Sequence, residues 1–199
     1  MKKYKLGEIC QFNERTISRQ QNRIIDYLDT SSLVEGEILS IQTMELCEAP
    51  NRAQRIVRNN TILYSLVRPA LKHYGILSNP EPSMIVSTGF VTIDIKEEYK
   101  KDIHAYFLYL LITQDCITNY LQGIAESATS AYPSIVSSDL SKLAFDFPTI
   151  NEQRRISNLF QSINSKTMLN RAINHNLPNT HRYFVLEYIS VSFIAFSCN

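Results

Sequence analysis

The residues best equipped for chemistry are five cations within residues 50–79: Arg52, Arg55, Arg58, Arg68 and Lys72, in a stretch that holds no Asp or Glu. Four of them are arginines. A planar guanidinium presents a fork of donors that fits phosphate oxygens and guanine edges better than an ammonium does. The stretch therefore points to a phosphate-contacting surface, with a solvated basic face as the plain competitor. His73 and Tyr74 adjoin it and could stack on a nucleic acid or bond to it, although Tyr74 suits a core position equally well. Asp94, Glu97 and Glu98 could be drawn as a metal nuclease site. Glu97 and Glu98 sit beside Lys96, Lys100 and Lys101, however, which is the composition of a solvated loop. The five glycines, Gly7, Gly36, Gly75, Gly89 and Gly123, are too far apart for a P-loop or a GxGxxG turn. Cys10, Cys47, Cys116 and Cys198 form no CxxC pair. The four histidines, His73, His104, His175 and His181, pair with no ligand at zinc spacing. Reduced thiols, no metal and no cofactor are expected.

These side chains need a scaffold, and 199 residues with 44% hydrophobic and 20% charged content suffice for one domain plus an appendage. Net charge is +1, so the global balance names no partner. Residues 4–12 open with a strand or helical turn. TILYSLV (61–67) is β-branched and aromatic with apolar residues on both faces, a buried strand. Arg68 precedes Pro69, which favours extended geometry at Arg68 and ends the strand. Residues 84–87 and FVTIDI (90–95) are further strand candidates, the latter alternating as if half exposed. Residues 103–121 carry apolar side chains at helical spacing, and 140–147 read as a last strand closed by Pro148.

Thr149 with Glu152 three residues later has the form of a capping box. Behind it a helical pattern runs to about residue 177 without Pro or Gly, and Pro178 ends it. Alternate steps of three and four residues from Ile156 reach Leu159, Ile163, Lys166, Asn170, Ile173 and Leu177, a coiled-coil-like seam with a polar middle. Twenty-eight residues would span roughly 42 Å, which suits an arm for partner or self contact better than a small core. The N-terminus is basic but lacks an apolar signal core, so a cytoplasmic protein is expected. The apolar stretch from residue 183 is short for a membrane span and contains Glu187.

Four landmarks in this order resemble the specificity (S) subunit of type I restriction–modification systems: ILYSLVRPALKHYGIL (62–77), IVSTGFVTI (85–93), SAYPSI (130–135), and Pro148, Glu152, Gln153 and Ile156 at the start of the long helix. The match covers roughly residues 4–177. It implies an α+β protein: a globular target recognition domain (1–149) with a twisted, mostly antiparallel β-sheet and flanking helices, then one long protruding spacer or dimerisation helix (150–177). Residues 178–199 form an apolar tail that departs from the family pattern. The family joins two such units in one chain, so a half-subunit or truncated product is expected here.

The resemblance also implies function. The domain would bind one half of a bipartite double-stranded DNA target without doing chemistry. Methyltransferase (modification) subunits would dock on it, a restriction subunit would join through the complex, and a homodimer could form through the long helix; no membrane is involved. No Asn-Pro-Pro-Tyr-type motif is present; the nearest string, Asn79-Pro80-Glu81-Pro82, lacks the paired prolines and the aromatic. Arg52, Arg55, Arg58, Arg68 and Lys72 would divide between phosphates and base edges, with His73 and Tyr74 beside them. Arg68 is the foremost candidate, an internal salt bridge at an Arg-Pro corner being its alternative. Ser130 and Tyr132 would belong to a second DNA-facing loop or to a structural brace. Ile156, Leu159, Ile163, Asn170, Ile173 and Leu177 would line the helix interface. The rival from another class is a truncated coiled-coil interaction protein without DNA recognition; a stand-alone nuclease is a third.

Overall fold

The computed structural model describes residues 1–20, 22–127 and 133–176. The chain opens with β1 (Lys2–Lys5), α1 (Leu6–Ile9) and β2 (Cys10–Phe12). Next come β3 (Ile24–Leu28), the hairpin β4 (Leu33–Val34) and β5 (Glu37–Ile38), β6 (Gln42–Glu45) and β7 (Ala53–Ile56). Then follow β8 (Ile62–Ser65), β9 (Tyr74–Ile76), β10 (Met84–Ser87) and β11 (Phe90–Ile95). Helices α2 (Ala105–Ile112), α3 (Asp115–Ser127) and α4 (Ser137–Ser141) lead to β12 (Ala144–Phe147) and α5 (Ile150–Asn176). Met1–Arg154 is one structural unit; a second begins at Arg155, within α5.

The mixed α+β class and the mostly antiparallel pairing match the sequence reading. The strands divide, however, between two four-stranded sheets, β6-β3-β10-β7 and β2-β11-β8-β9, with β1-β12 and β4-β5 as separate pairs. Among the described residues only β3 with β10 is parallel. Side chains alternate along a strand, and β3 and β10 use both faces. Ile25, Tyr27 and Ile85 join one apolar cluster with Leu46 and Ala53. Leu28 and Val86 join another with Leu63 of β8 and Phe90 of β11, which places that cluster between the sheets. Each fully buried side chain of this size contributes about 1.5–3 kcal/mol relative to exposure.

Several boundaries differ from expectation for identifiable reasons. FVTIDI is buried at all six positions rather than half exposed: β11 is an inner strand of its sheet, and Phe90 packs into the cluster that joins the two sheets. The helix expected over 103–121 is two helices. The Thr113 hydroxyl donates to the Tyr109 carbonyl at 2.8 Å where α2 stops. The last strand begins at Ala144; Leu140 belongs to α4. Arg68 is left-handed (φ 48°, ψ 69°) rather than extended. The rule for residues before proline disfavours the right-handed helical region, and two bonds select the left-handed alternative. The Arg68 amide donates to the Pro133 carbonyl at 3.0 Å, and the Arg68 carbonyl accepts from Leu71 at 2.9 Å.

The capping box forms as drawn: the Thr149 amide donates to Glu152 Oε2 at 3.0 Å, and the Glu152 amide returns to Thr149 Oγ1 at 3.4 Å. Gln153 fastens this turn. Fully buried, it donates to the carbonyls of Asp102 (2.8 Å) and Pro148 (2.9 Å) and accepts from the His104 amide (2.9 Å). Within α5, Leu159, Ile163 and Ile173 are exposed at 45–60% and Asn170 is exposed, while Ile156 is half-buried. Leu177 and residues 178–199 lie outside the described residues, as do Ser130 and Tyr132. Among the described residues no helix is long and apolar enough to cross a membrane.

Candidate nucleic-acid interface

The acid-free stretch does not fold into one five-cation surface, because tertiary contacts bring carboxylates to it from elsewhere. Arg58 Nε lies 3.1 Å from Asp94 Oδ1 of β11, and its Nη2 lies 2.9 Å from Glu14 Oε2. The buried Thr61 hydroxyl also donates to Asp94 Oδ1, at 2.6 Å. Burial works to lower the Arg58 pKa, but Asp94 and Glu14 outweigh it and hold the guanidinium above its ordinary value. Lys72 Nζ bridges Asp115 (2.9 Å) and Glu35 (3.2 Å), and these two bonds, Asp115 first, raise its pKa. Arg55 lies on β7, with its Nε buried and without a hydrogen-bond partner in the structure; burial lowers its pKa.

Tyr74 is a core residue. It is 6% exposed, its ring stacks on Tyr64 with centroids 5.7 Å apart, and burial pushes its phenol up to about 12. The Pro133–Ile135 part of SAYPSI braces the Arg68 corner. Ser134 bridges Val67, and the Ile135 amide donates to the Leu66 carbonyl at 2.8 Å.

What remains is a compact group. Arg52, Arg68 and His73 line one open basin of about 330 Å³ together with Asp29, Thr30, Ser31, Ser65, Val67, Leu71 and Gly89. Both arginines are exposed, and neither closes an ion pair with a carboxylate among the described residues. Their backbones are fixed. The Thr88 amide donates to the Arg52 carbonyl at 2.8 Å, and Arg68 is held by Pro133 as above. His73 Nδ1 lies 2.7 Å from the Leu33 carbonyl oxygen. A carbonyl only accepts, so Nδ1 carries the proton and Nε2 is left for a ligand.

The opposite wall is a turn after β3 that the sequence reading passed over. Asp29 accepts from Tyr27 Oη at 2.9 Å and from Ser31 Oγ at 3.1 Å. Burial works to raise its pKa, but these hydroxyls, with Arg52 nearby, hold it below the usual carboxylate range. Gly89 closes the wall against this turn: a Cβ there would lie 2.5 Å from Thr30 Oγ1. The run Asp29-Thr30-Ser31-Ser32 is a turn signature, the one sequence signal that could have marked it. Only the fold brings it to residues 52, 68 and 73.

The exposed guanidiniums of this open basin are groups of the kind that suit phosphate oxygens and base edges. The family model "Type I restriction modification DNA specificity domain" matches residues 1–179, and the chain belongs to that family. It is similar to the type I restriction enzyme HindI specificity subunit of Haemophilus influenzae, with 27% identity over 176 residues, 88% of this chain and 38% of the relative. Among solved structures, the HsdS subunit from Thermoanaerobacter tengcongensis has a TM-score of 0.72 at 24% identity, over 88% of this chain and 44% of that one. A chain in a structure of the type I R-M system scores 0.70 at 25% identity, over 88% and 45%. The S subunit from M. genitalium scores 0.53 at 17% identity, over 96% and 48%. The chain thus spans less than half the length of each.

Proposed function

We propose that residues 1–149 read one half of a bipartite duplex DNA target for a type I restriction–modification complex, and that residues 150–177 join the chain to its partners. The observation that carries this reading is the basin itself, where Arg52 and Arg68 stand exposed and unpaired beside His73 in a member of a DNA specificity family. Phosphate contacts set register and base contacts set sequence, and this basin offers groups for both. Arg58 and Lys72 are held in ion pairs, Arg55 has its Nε buried on β7, and Tyr74 packs in the core. Methyl transfer and cleavage then belong to modification and restriction subunits that dock on this chain, which itself is not an enzyme. The exposed Leu159, Ile163 and Ile173 of α5 favour a helix partner, either a modification subunit or a second copy. A symmetric pair would imply a palindromic target.

A mobility-shift assay with the full chain and a pool of random duplexes, at low and moderate salt, tests the reading. A salt-sensitive shift that Arg52→Ala and Arg68→Ala both weaken is expected. No shift at low salt overturns it and leaves the coiled-coil interaction protein, which the exposed side chains of α5 also favour. Sedimentation of wild type against Leu159→Asp/Ile163→Asp reports whether the helix pairs two copies.

A further inference from the structure

We propose that Asp29 reads a base, its carboxylate accepting the major-groove amino proton of a cytosine whose paired guanine meets Arg52 or Arg68. The inference rests on the reading above and names what the basin discriminates. Its starting point is an electrostatic oddity. A surface that met only phosphates would gain from its arginines and lose from a carboxylate among them, since like charges repel. Asp29 nonetheless lines the same basin as both unpaired guanidiniums. It closes no ion pair within 4 Å among the described residues, although Arg52 is near enough to favour its charged form, so neither guanidinium occupies its oxygens. An acceptor site is thereby left for a donor that the DNA supplies.

The carboxylate is built to point. It follows β3 directly, and Tyr27, 2% exposed, donates to Oδ1 at 2.9 Å. Ser87 of the neighbouring strand bonds the same phenol, and Ser31 donates to Oδ2 at 3.1 Å. The turn lies close against residue 89, with Thr30 Oγ1 in the space that a side chain there would fill. With the Thr30 amide, which also bonds this carboxylate, three donors use about three of its four acceptor sites. The one left over sits on a side chain whose orientation its neighbours set, the arrangement that recognition requires.

Base chemistry then selects the ligand. In the major groove only cytosine N4 and adenine N6 offer amino protons. Adenine places the N7 lone pair beside its amino group, where it faces the carboxylate and repels it. Cytosine places a carbon–hydrogen bond there instead. The guanine opposite cytosine presents O6 and N7, the pair of acceptors that a guanidinium fork fits. One carboxylate and one guanidinium in the same basin thus match the two halves of a C·G pair.

The test is a selection by the full chain from a randomised duplex pool at fixed salt, with the bound fraction sequenced, for wild type and Asp29→Asn. Wild type is expected to select C·G at one position that Asp29→Asn reads indifferently, a loss of roughly 5- to 150-fold there (about 1–3 kcal/mol). Other positions keep their preference, and the variant binds the unselected pool more tightly because a repulsive charge has gone. A second arm uses wild type alone: N4-methylcytosine at that position keeps the base pair but replaces the major-groove amino proton, and binding should fall by a similar factor. If Asp29→Asn fails to fold, this arm decides. Should wild type select no sequence at all, the DNA reading fails as a whole. Should wild type select one and Asp29→Asn or the methylated base leave it intact, or should Asp29→Asn weaken every position alike, Asp29 does not read a base and the DNA reading stands.

Discussion

Replacing Arg58 by alanine separates a residue that holds the fold from one that touches DNA. In the native chain its guanidinium faces Asp94, whose side chain is 8% exposed, at 3.1 Å, and Glu14 at 2.9 Å. Truncation leaves Asp94 with the Thr61 hydroxyl but without this cation. Breaking a buried ion pair costs about 3–5 kcal/mol, whereas a surface pair contributes at most about 1 kcal/mol. Arg58 is 29% exposed, so the pair falls between these limits, at about 2–3 kcal/mol. At about 2–4 °C per kcal/mol for a chain of this size, Tm should fall by about 4–12 °C. Urea denaturation followed by circular dichroism should show a lower midpoint at unchanged m. Duplex affinity, measured well below the transition, should match wild type. Adding Asp94→Asn should recover part of the loss, because the stranded charge is removed with its partner. A variant that denatures like wild type yet loses tenfold in duplex affinity would refute the assignment and return Arg58 to the DNA-facing surface.

Three further outcomes follow from the same geometry. Gly89→Ala places a methyl 2.5 Å from Thr30 Oγ1 and should cost about 1–3 kcal/mol; Thr30→Ala in the same chain should restore most of it in thermal melts. Gln153→Leu deprives the His104 amide and the Asp102 and Pro148 carbonyls of their partner. A loss of about 2–4 kcal/mol is expected, with faster hydrogen exchange at the His104 amide. Burial first, with Asp94 behind it, pushes the Cys10 thiol up to about 12. The folded pKa is raised, so its contribution to stability is present below the ordinary thiol value near 9 and lost as pH rises towards 12. Iodoacetamide at pH 8 should therefore label the exposed Cys47 and Cys116 while sparing Cys10 until denaturant is added; equal rates would contradict this.

What could be read in advance was whatever local chemistry determines. The β-branched and aromatic run around Tyr64, the strand at 84–87 and the Thr149 capping box each depend on residues a few positions apart, and each stands near where it was expected. Strand burial on both faces was not legible for FVTIDI, since it depends on what the fold packs over its sheet, as where Phe90 meets Leu28 and Val86. Most of the first sheet escaped notice for a related reason: β6 and β7 are short and carry few apolar residues, and long-range pairing with β3 and β10 makes them strands. The site was legible only as a list of cations. Composition named Arg52, Arg68 and His73, but the partners that spend Arg58 and Lys72 lie 36 and 43 positions away, at Asp94 and Asp115.

That redistribution of charge has a measurable consequence. Each phosphate neutralised by a cation contributes about 0.9 to the slope of log affinity against log salt on duplex DNA. Five free cations on one face would contribute about 4.5, whereas the two exposed arginines of the basin contribute at most about 1.8. The limit is reached only if both contact phosphates; an arginine occupied with a guanine edge subtracts its share. The Arg52→Ala/Arg68→Ala double variant should therefore flatten the slope by no more than about 1.8, while Arg58→Ala and Lys72→Ala leave it unchanged, because their charges are already matched by carboxylates in the free chain. If Arg58→Ala and Lys72→Ala each removed close to a full unit of slope, their ion pairs would have to open on the DNA, and the basin would be one part of a larger surface that assembles only in the complex.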